Sequence, residues 1–251
     1  MKILVSLKRV PDPDTKIRVN ADGSGLETDG VKYAINPFDA IALEEALRLK
    51  EKVGSAEILV VSIGGDDSQE QLRAGLAMGA DRAMLVRHAA TLDSLAVAKI
   101  LAEVYRREQP KLVLMGKQAI DDDSNQAGQM LAALLGVGQA TFISKIGLTA
   151  DGKKATCTRE TDAGLEVVNV SLPAIVTTDL RLNEPRYVTA LGIMKAKKKP
   201  LEEVTPADLG VDPASRTKQL KLTLAPKRKG GIKVKTVDEL LQKLRDEARV
   251  I

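Results

Sequence analysis

The chain has 251 residues, of which 44% are hydrophobic, which allows one α/β domain with an appendage or one large domain. A single cysteine, Cys157, and a single histidine, His88, exclude an internal disulfide and any motif that needs paired cysteines or paired histidines. The net charge of +4 is modest, aromatic residues make up 2%, and no apolar stretch is long enough for a membrane helix, so we expect a globular cytoplasmic protein with no nucleic-acid partner and no direct membrane insertion.

Short apolar runs alternate with helical patterns through the first two thirds of the chain. This alternation predicts an α/β fold, Rossmann-like, with a mostly parallel sheet and crossover helices. The first helix should start at Pro37, with Asn36 as its cap and Glu44 opposite its apolar stripe. Further helices are predicted from about Asp67, with a capping box to Glu70, and over residues 92–108. The predicted strands are 3–7, 57–62, 83–86, 112–115 and 174–178.

The remaining third is less regular. Alternating apolar positions on both sides of Asp151-Gly152 predict an added antiparallel β-hairpin over residues 145–172. After residue 178 the pattern loosens until a helix over 236–248, where Thr236 and Glu239 have capping-box spacing. We interpret this region as an extended C-terminal arm, which needs a partner to lie on.

A polar loop follows the predicted strand 112–115 and leads into a helix. In open α/β sheets ligands bind at the carboxyl ends of strands, and amides at a helix start attract phosphate. Ser124, Asn125 and Gln126 could add donors to a phosphate oxygen. The loop has neither the triphosphate-loop spacing nor the dinucleotide-binding glycine pattern, which disfavours triphosphate hydrolysis and NAD binding.

Three consecutive aspartates, Asp121 to Asp123, stand in this loop. They could ligate a metal, or they could complement the dipole of the following helix and cap it. No second carboxylate cluster completes a metal site in the sequence. Their negative charge favours one phosphate over a diphosphate at this position.

Four lysines cluster at Lys195, Lys197, Lys198 and Lys199, directly after the apolar stretch 186–194. Such a cluster is typical of a solvated surface, a nucleic-acid or phospholipid patch, or a docking site for an acidic protein surface. The apolar stretch could fill a pocket in a partner protein.

The segments 179–187 and 193–199 resemble the signature of electron-transfer flavoprotein β subunits, and the similarity continues in residues 31–38, 77–82 and 116–129. The resemblance implies a heterodimer in which an α subunit holds most of the FAD and this chain binds a structural AMP. It implies a domain at 1–188 for nucleotide binding. Residues 189–251 would form the recognition loop and the arm on the partner subunit.

The resemblance also assigns sites and partners. The AMP contacts would come from Ser6, Asn36, Pro37, Phe38, Asp39, Ile63, Gly116, Lys117, Gln118, Ala119, Ile120, Asp121, Asp122, Asp123, Ser124, Asn125, Gln126 and Ala127. The recognition loop would dock acyl-CoA or related flavin dehydrogenases through Thr189, Ala190, Leu191, Gly192, Ile193 and Lys195, with either Ala190 or Leu191 as the anchor. Electrons would pass on to a membrane quinone oxidoreductase, as part of fatty acid oxidation, and the chain itself would be an electron carrier subunit and no enzyme.

Two other hypotheses remain open on the residues alone. The phosphate-like loop is compatible with an independent ATP-dependent enzyme or nucleotide sensor, and the lysine cluster is compatible with a basic nucleic-acid binder. Some relatives of the resembled family bifurcate electrons and carry a second FAD in place of AMP. The loop here is closer to the AMP type.

Overall fold

The computed structural model describes residues 1–228 and 230–251; Lys229, which falls within the predicted arm, lies outside the described residues. The chain forms two units. The first unit comprises Met1–Lys16 and Thr28–Gln219, and the second comprises Ile17–Glu27 and Leu220–Ile251. The domain boundary at residue 188 stays a prediction.

The order of elements alternates between strands and helices over most of the first unit. The strands are β1 (Lys2–Ser6), β2 (Arg9–Pro11), β3 (Tyr33–Ile35), β4 (Glu57–Gly64), β5 (Arg82–Arg87), β6 (Leu112–Gly116), β7 (Gly138–Leu148), β8 (Lys154–Thr161), β9 (Gly164–Ser171), β10 (Ala174–Thr178) and β11 (Leu201–Val204). The helices are α1 (Pro37–Val53), α2 (Gln69–Met78), α3 (Ser94–Glu108), α4 (Ala127–Leu135), α5 (Ala190–Ala196) and, in the second unit, α6 (Val237–Asp246).

Within the described residues, the first unit contains a nine-stranded sheet in the order β11-β5-β4-β1-β6-β10-β7-β8-β9. Neighbouring strands from β11 to β7 run parallel, whereas β7, β8 and β9 pair antiparallel. Strands β2 and β3 form a separate antiparallel pair. The predicted α/β, Rossmann-like fold with a mostly parallel sheet is confirmed.

The parallel part of the sheet is covered by helices on both faces. In β1, Ile3 and Val5 pack in one apolar cluster with residues of α1 and α2, while Leu4 packs in a second cluster with residues of α3 and α4. Burial on both faces explains why the parallel strands are continuous apolar runs in the sequence. The same burial makes them the easiest elements to predict.

The antiparallel region is larger than predicted. The hairpin with Asp151-Gly152 in its turn is present, and Gly152 has the positive φ of 63° that such turns require. A third strand, β9, pairs along the whole of β8, and β7 joins this meander to β10. The four-residue strand β11, which pairs with β5, is not indicated by the sequence pattern.

Two predicted helix caps are wrong. Asn36 precedes Pro37 as expected, yet its side chain makes no capping bond to α1. The helix predicted from Asp67 begins at Gln69, after a 3-10 turn over Asp66–Ser68, and no side chain caps it. In both places the polar side chain is free to bond elsewhere, and for Asn36 that partner lies in the functional site.

The second unit is described by itself. Its first segment closes through a bridge between Val19 and Leu26, and Leu222 N–H donates to Gly23 O at 2.9 Å. Helix α6 starts as predicted, because Thr236 Oγ1 accepts from Glu239 N–H at 3.2 Å. No residue of α6 is buried. Among the described residues, no helix combines the length and hydropathy needed to span a bilayer.

Candidate functional site

The strand order reverses beside β1, which lies in the middle of the parallel sheet. The chain builds outward from β1 through β4 to β5, and α3 then returns it to β6 on the other side of β1. The carboxyl ends of these parallel strands therefore meet at one edge of the sheet, where the opposing crossovers leave a crevice. Ligands in open α/β sheets bind at such a switch point.

The residues predicted to contact a nucleotide gather at this edge. Ser6 ends β1, Ile63 is the penultimate residue of β4 and Gly116 ends β6. Residues 36–39 start α1, and the loop 117–126 leads from β6 into α4, which begins at Ala127. The structure thus brings together four segments, at Ser6, 36–39, Ile63 and 116–127, that lie up to 121 positions apart in the sequence.

Asn36 bonds to the polar loop. Its Nδ2 donates to Gln118 O at 2.9 Å, and its Oδ1 accepts from Ile120 N–H at 3.3 Å. The side chain is buried, at 1% exposure. Asn36 therefore fixes the loop against the start of α1 through two backbone groups.

Asp39 joins three elements of the crevice. Its Oδ2 accepts from Lys8 N–H at 2.8 Å, just beyond β1, and its Oδ1 accepts from Gly116 N–H at 2.9 Å, at the end of β6. Burial raises the pKa of Asp39 to about 7, although both backbone bonds act in the opposite direction. The carboxyl group thus holds the ends of β1 and β6 against the first turn of α1.

Gly116 is required by this close approach. A Cβ at this position would lie 2.4 Å from Asp39 Oδ1 and 2.7 Å from Phe38 Cβ. Thr178, at the end of β10, donates its hydroxyl to Phe38 O at 2.9 Å. The start of α1 therefore packs directly on the ends of β6 and β10, and the carboxyl edge of the sheet is a rigid floor.

The three aspartates do not cap α4, and that interpretation is wrong. Helix α4 has no acidic residue in its first turn. Lys8 Nζ instead contacts Asp121 Oδ1 at 2.8 Å and Asp122 Oδ2 at 3.0 Å, while Asp123 Oδ1 accepts from Gln118 Nε2 at 2.7 Å. Burial lowers the pKa of Lys8, but the two carboxylates outweigh it and the pKa is raised.

The loop has no arrangement of metal ligands. Within the described part of the chain, no group of three or more His, Cys, Asp or Glu side chains is placed to hold a metal ion. Lys8 partly neutralises the acidic loop, which lowers the electrostatic cost of an anion nearby.

The loop ends with two residues of left-handed backbone. Asp123 and Asn125 have φ values of 50° and 49°. Two amides of this turn are already engaged within the loop, since Asp123 N–H donates to Ala119 O at 2.8 Å and Ser124 N–H donates to Asp122 Oδ1 at 3.1 Å. The first amides of α4 have no acceptors within the helix, and such amides attract anions. The start of α4 is therefore the part of this region that favours an anion.

Lys117 and Phe38, two of the residues predicted to contact AMP, already interact with side chains of the protein. Lys117 Nζ pairs with Asp179 Oδ2 at 2.7 Å and lies 5.4 Å from the centre of the Phe38 ring. Lys8, Thr178 and Asp179 complete the site but were not predicted from the sequence. The available signal is that Thr178 is a polar residue at the end of a predicted buried strand, 174–178, and that Asp179 follows it directly.

Most of the predicted recognition loop is helical. Thr189 caps α5 by accepting from Gly192 N–H at 3.0 Å, and α5 covers Ala190 to Ala196. Ala190 and Leu191 are both exposed, Leu191 at 58%. Ile193, at 51%, and Met194, at 66%, extend the apolar surface of this helix. Large apolar side chains grouped at this exposure are typical of a contact surface.

The segment 183–186 before α5 lies on α1. Arg186 Nε donates to Glu44 Oε2 at 2.8 Å, and its Nη2 donates to Glu44 Oε1 at 3.1 Å. Asn183 Nδ2 donates to Glu45 Oε2 at 2.9 Å. Glu44 was predicted on the solvent side of α1 but is buried, at 3% exposure, because this segment covers it.

Comparison with known proteins gives concordant results. The family model for the electron transfer flavoprotein domain matches residues 24–209. The chain is 58% identical over its full length to a Bradyrhizobium diazoefficiens protein named electron transfer flavoprotein subunit beta, all of which is covered. It is 54% identical to the mitochondrial subunit beta of Arabidopsis thaliana, with both chains fully covered, and 49% identical to the human subunit beta, with 100% of this chain and 99% of the human chain covered.

Proposed function

Because the chain belongs to the electron transfer flavoprotein family as a β subunit, we propose that it binds a structural AMP in the crevice at the switch point. An α subunit is its partner in a heterodimer, and that subunit holds most of the FAD. The chain acts as an electron carrier subunit, without substrate chemistry of its own.

One observation supports the AMP assignment most directly. Asn36 and Asp39 fasten the loop 117–126 and the ends of β1 and β6 to the start of α1 through buried hydrogen bonds. A crevice built this way is rigid before any ligand enters, which suits a nucleotide that is retained rather than turned over. The loop also lacks the glycine-rich phosphate loop that triphosphate chemistry uses.

The residues proposed to hold AMP are Ser6, the segment 36–39, Ile63 and the segment 116–127. The phosphate would lie at the amides of the loop end and of the first turn of α4, with the Ser124 hydroxyl as a further donor. FAD, when bound mainly by the α subunit, supplies the electron-accepting chemistry. This chain's residues shape the nucleotide crevice and dock other proteins.

The docking role is assigned to α5 and its cap. Thr189, the exposed residues Ala190, Leu191 and Ile193 of α5, and Lys195 would contact acyl-CoA or related flavin dehydrogenases. Electrons would then pass through the heterodimer toward a membrane quinone oxidoreductase. A cytoplasmic location stays a prediction, while the Arabidopsis relative is named mitochondrial.

Replacement of Ala190 and Leu191 together by aspartate tests the docking assignment. Two charges on the apolar face of α5 should lower the rate at which an acyl-CoA dehydrogenase reduces the heterodimer flavin by at least about tenfold, because a charge buried without a partner is costly. The FAD content should be unchanged. Stopped-flow flavin reduction measures the rate.

A control variant, Val53→Asp, places a charge on another exposed apolar residue at the end of α1. It should transfer electrons at the unaltered rate. Unaltered transfer by the double variant as well would show that α5 is not the docking element.

A further inference from the structure

Helices α5 and α2 pack at very short range. A Cβ at Gly192 would lie 2.6 Å from Ala77 O, so the backbone of α5 rests directly on the last turn of α2. At the other end of α5, Ala196 is buried in the apolar core. The helix therefore has a fixed face toward α2 and an exposed face that carries Leu191 and Met194.

Each of the two helices has its C-terminal end capped by a cation from the other side of the contact. Arg73, on α2, donates from Nη1 to Ala196 O at 2.8 Å and to Lys199 O at 2.9 Å. Lys199, just after α5, donates from Nζ to Leu76 O at 3.0 Å and to Ala80 O at 2.5 Å. These carbonyls lie at helix ends, where intrahelical donors are lacking and where the helix dipole favours a positive charge.

The four clustered lysines therefore differ in their surroundings. Lys199 is half-buried against the end of α2, and burial lowers its pKa. Lys195, Lys197 and Lys198 are exposed, and within the described residues their side chains make no hydrogen bond or ion pair. The run is thus one structural lysine and three solvated ones.

We propose that Arg73 and Lys199 are positioning residues that form a reciprocal cap and hold α5 in the orientation that a dehydrogenase recognises. The proposal rests on the docking role assigned to α5 above. Neither residue is proposed to contact the dehydrogenase. Loss of Arg73 removes the side-chain donor to Lys199 O and leaves Ala196 O with only the Lys199 N–H, at 3.2 Å. Loss of Lys199 removes the side-chain donor to Leu76 O and Ala80 O, and in either case α5 then samples other positions on α2.

The test uses the heterodimer with the variants Lys199→Met and Arg73→Met, which keep much of the side-chain length and remove both the charge and the donor. Amide hydrogen exchange over residues 190–199, measured by mass spectrometry without dehydrogenase, reports on the cap alone. We expect exchange to be at least about tenfold faster in both variants, because local opening controls exchange in native proteins. FAD content and co-elution with the α subunit identify any variant that fails to assemble; should Lys199→Met fail, Arg73→Met carries the test.

The same variants are then assayed for flavin reduction by an acyl-CoA dehydrogenase. If the competent orientation of α5 falls to about a fifth of the population, KM rises about fivefold while kcat is unchanged. Arg73→Lys keeps a donor and a positive charge, so its KM should be close to that of the unaltered protein. Lys198→Met is the matched control for exchange, since it removes a solvated lysine of the same cluster, and its exchange should match the unaltered protein.

The possible outcomes separate this proposal from the docking role itself. Unchanged exchange in both variants overturns the reciprocal cap. Faster exchange with unchanged KM overturns the positioning role. In that second case, the double aspartate variant at Ala190 and Leu191 decides between the two ideas: a slowed reaction there preserves the docking role, and an unaltered reaction removes it.

Discussion

Asp39 shows how a single buried carboxyl group can organise the crevice at the switch point. It is 5% exposed, and each of its oxygens accepts a backbone N–H from a different strand end. Burial raises its pKa to about 7 from an ordinary value of 3.8. In the unfolded chain the same group ionises at a much lower pH, so its protonation is coupled to folding.

The sign of this coupling is defined by the raised pKa. Between about pH 4 and pH 7 the folded state binds a proton that the unfolded state has released, so stability contributed by Asp39 is lost as pH rises through this window. The rise in the pKa of Asp39 corresponds to a change in the free energy of unfolding of at most about 4 kcal/mol across this window. Urea unfolding of the purified protein at a series of pH values measures the slope.

The variant Asp39→Asn isolates this contribution, because it has no titrating group at position 39. Its stability should decline less steeply than that of the unaltered protein between pH 4 and pH 7. Parallel curves for the two proteins would show that Asp39 ionises in the folded state as it does in the unfolded chain.

At the residue scale, the sequence indicated that Asn36 and Asp39 stand at the start of α1, but it did not indicate what their side chains contact. Asn36 and Asp39 were predicted as site residues, yet Asn36 was expected to cap its own helix. A cap is a local bond that a sequence motif can indicate, whereas the Asn36 bonds to Gln118 and Ile120 span more than 80 positions. Lys8 was missed for the same reason, since its partners Asp121 and Asp122 are remote in sequence.

At the scale of elements, the segment 183–186 holds the chain that leads into α5 against α1, and we call this segment the strap. Glu44 is the centre of this contact: burial favours its neutral form, but the bonds from Arg186 and Arg48 outweigh burial and lower its pKa. Arg186 has a second carboxylate partner, Glu51, at 2.8 Å. The two glutamates differ in exposure, with side chains exposed at 4% and 60%.

This difference predicts unequal effects of two similar substitutions. Glu44→Ala should lower the free energy of unfolding by about 1.5–3 kcal/mol, because it removes the buried acceptor of charged hydrogen bonds from Arg186 and Arg48. Glu51→Ala should cost less than about 1 kcal/mol, because an exposed pair is screened by solvent. Chemical denaturation of both variants measures the difference; equal losses would mean that the strap does not depend on burial of Glu44.

The elements that the sequence predicted well are those whose pattern is local. The parallel strands are apolar runs buried on both faces, and α1 begins at Pro37 as expected. Strand β11 was missed because its sequence, Leu-Glu-Glu-Val, carries little hydrophobic pattern and its pairing with β5 is remote. The predicted recognition loop was not expected to be helical, because a helix of seven residues is too short to show a recognisable apolar periodicity.

At the scale of the whole molecule, the second unit contains a helix, α6, with exposed apolar side chains. In the second unit, no residue of α6 is buried, and Val237, Leu240 and Leu241 are 72%, 42% and 44% exposed. An amphipathic helix is stabilised mainly by burying its apolar face. Since the partner of a β subunit is the α subunit, we expect that subunit to cover this helix in the heterodimer.

Replacement of Leu240 and Leu241 by aspartate should weaken association with the α subunit by roughly 100-fold or more, because two charges would enter a desolvated contact. Co-elution from a sizing column over a range of concentrations measures the loss. Gln242→Asp, which adds one charge elsewhere on the same helix, should leave association intact. Full association of the double variant would place the α subunit contact outside α6.

The nucleotide content of the heterodimer tests the central claim most directly. The purified complex of this chain with its α subunit is denatured, and the released small molecules are identified and quantified by mass. One AMP and one FAD per heterodimer is the predicted result, with AMP assigned to the crevice of this chain. Two FAD and no AMP, or no AMP at all, would contradict the proposed site.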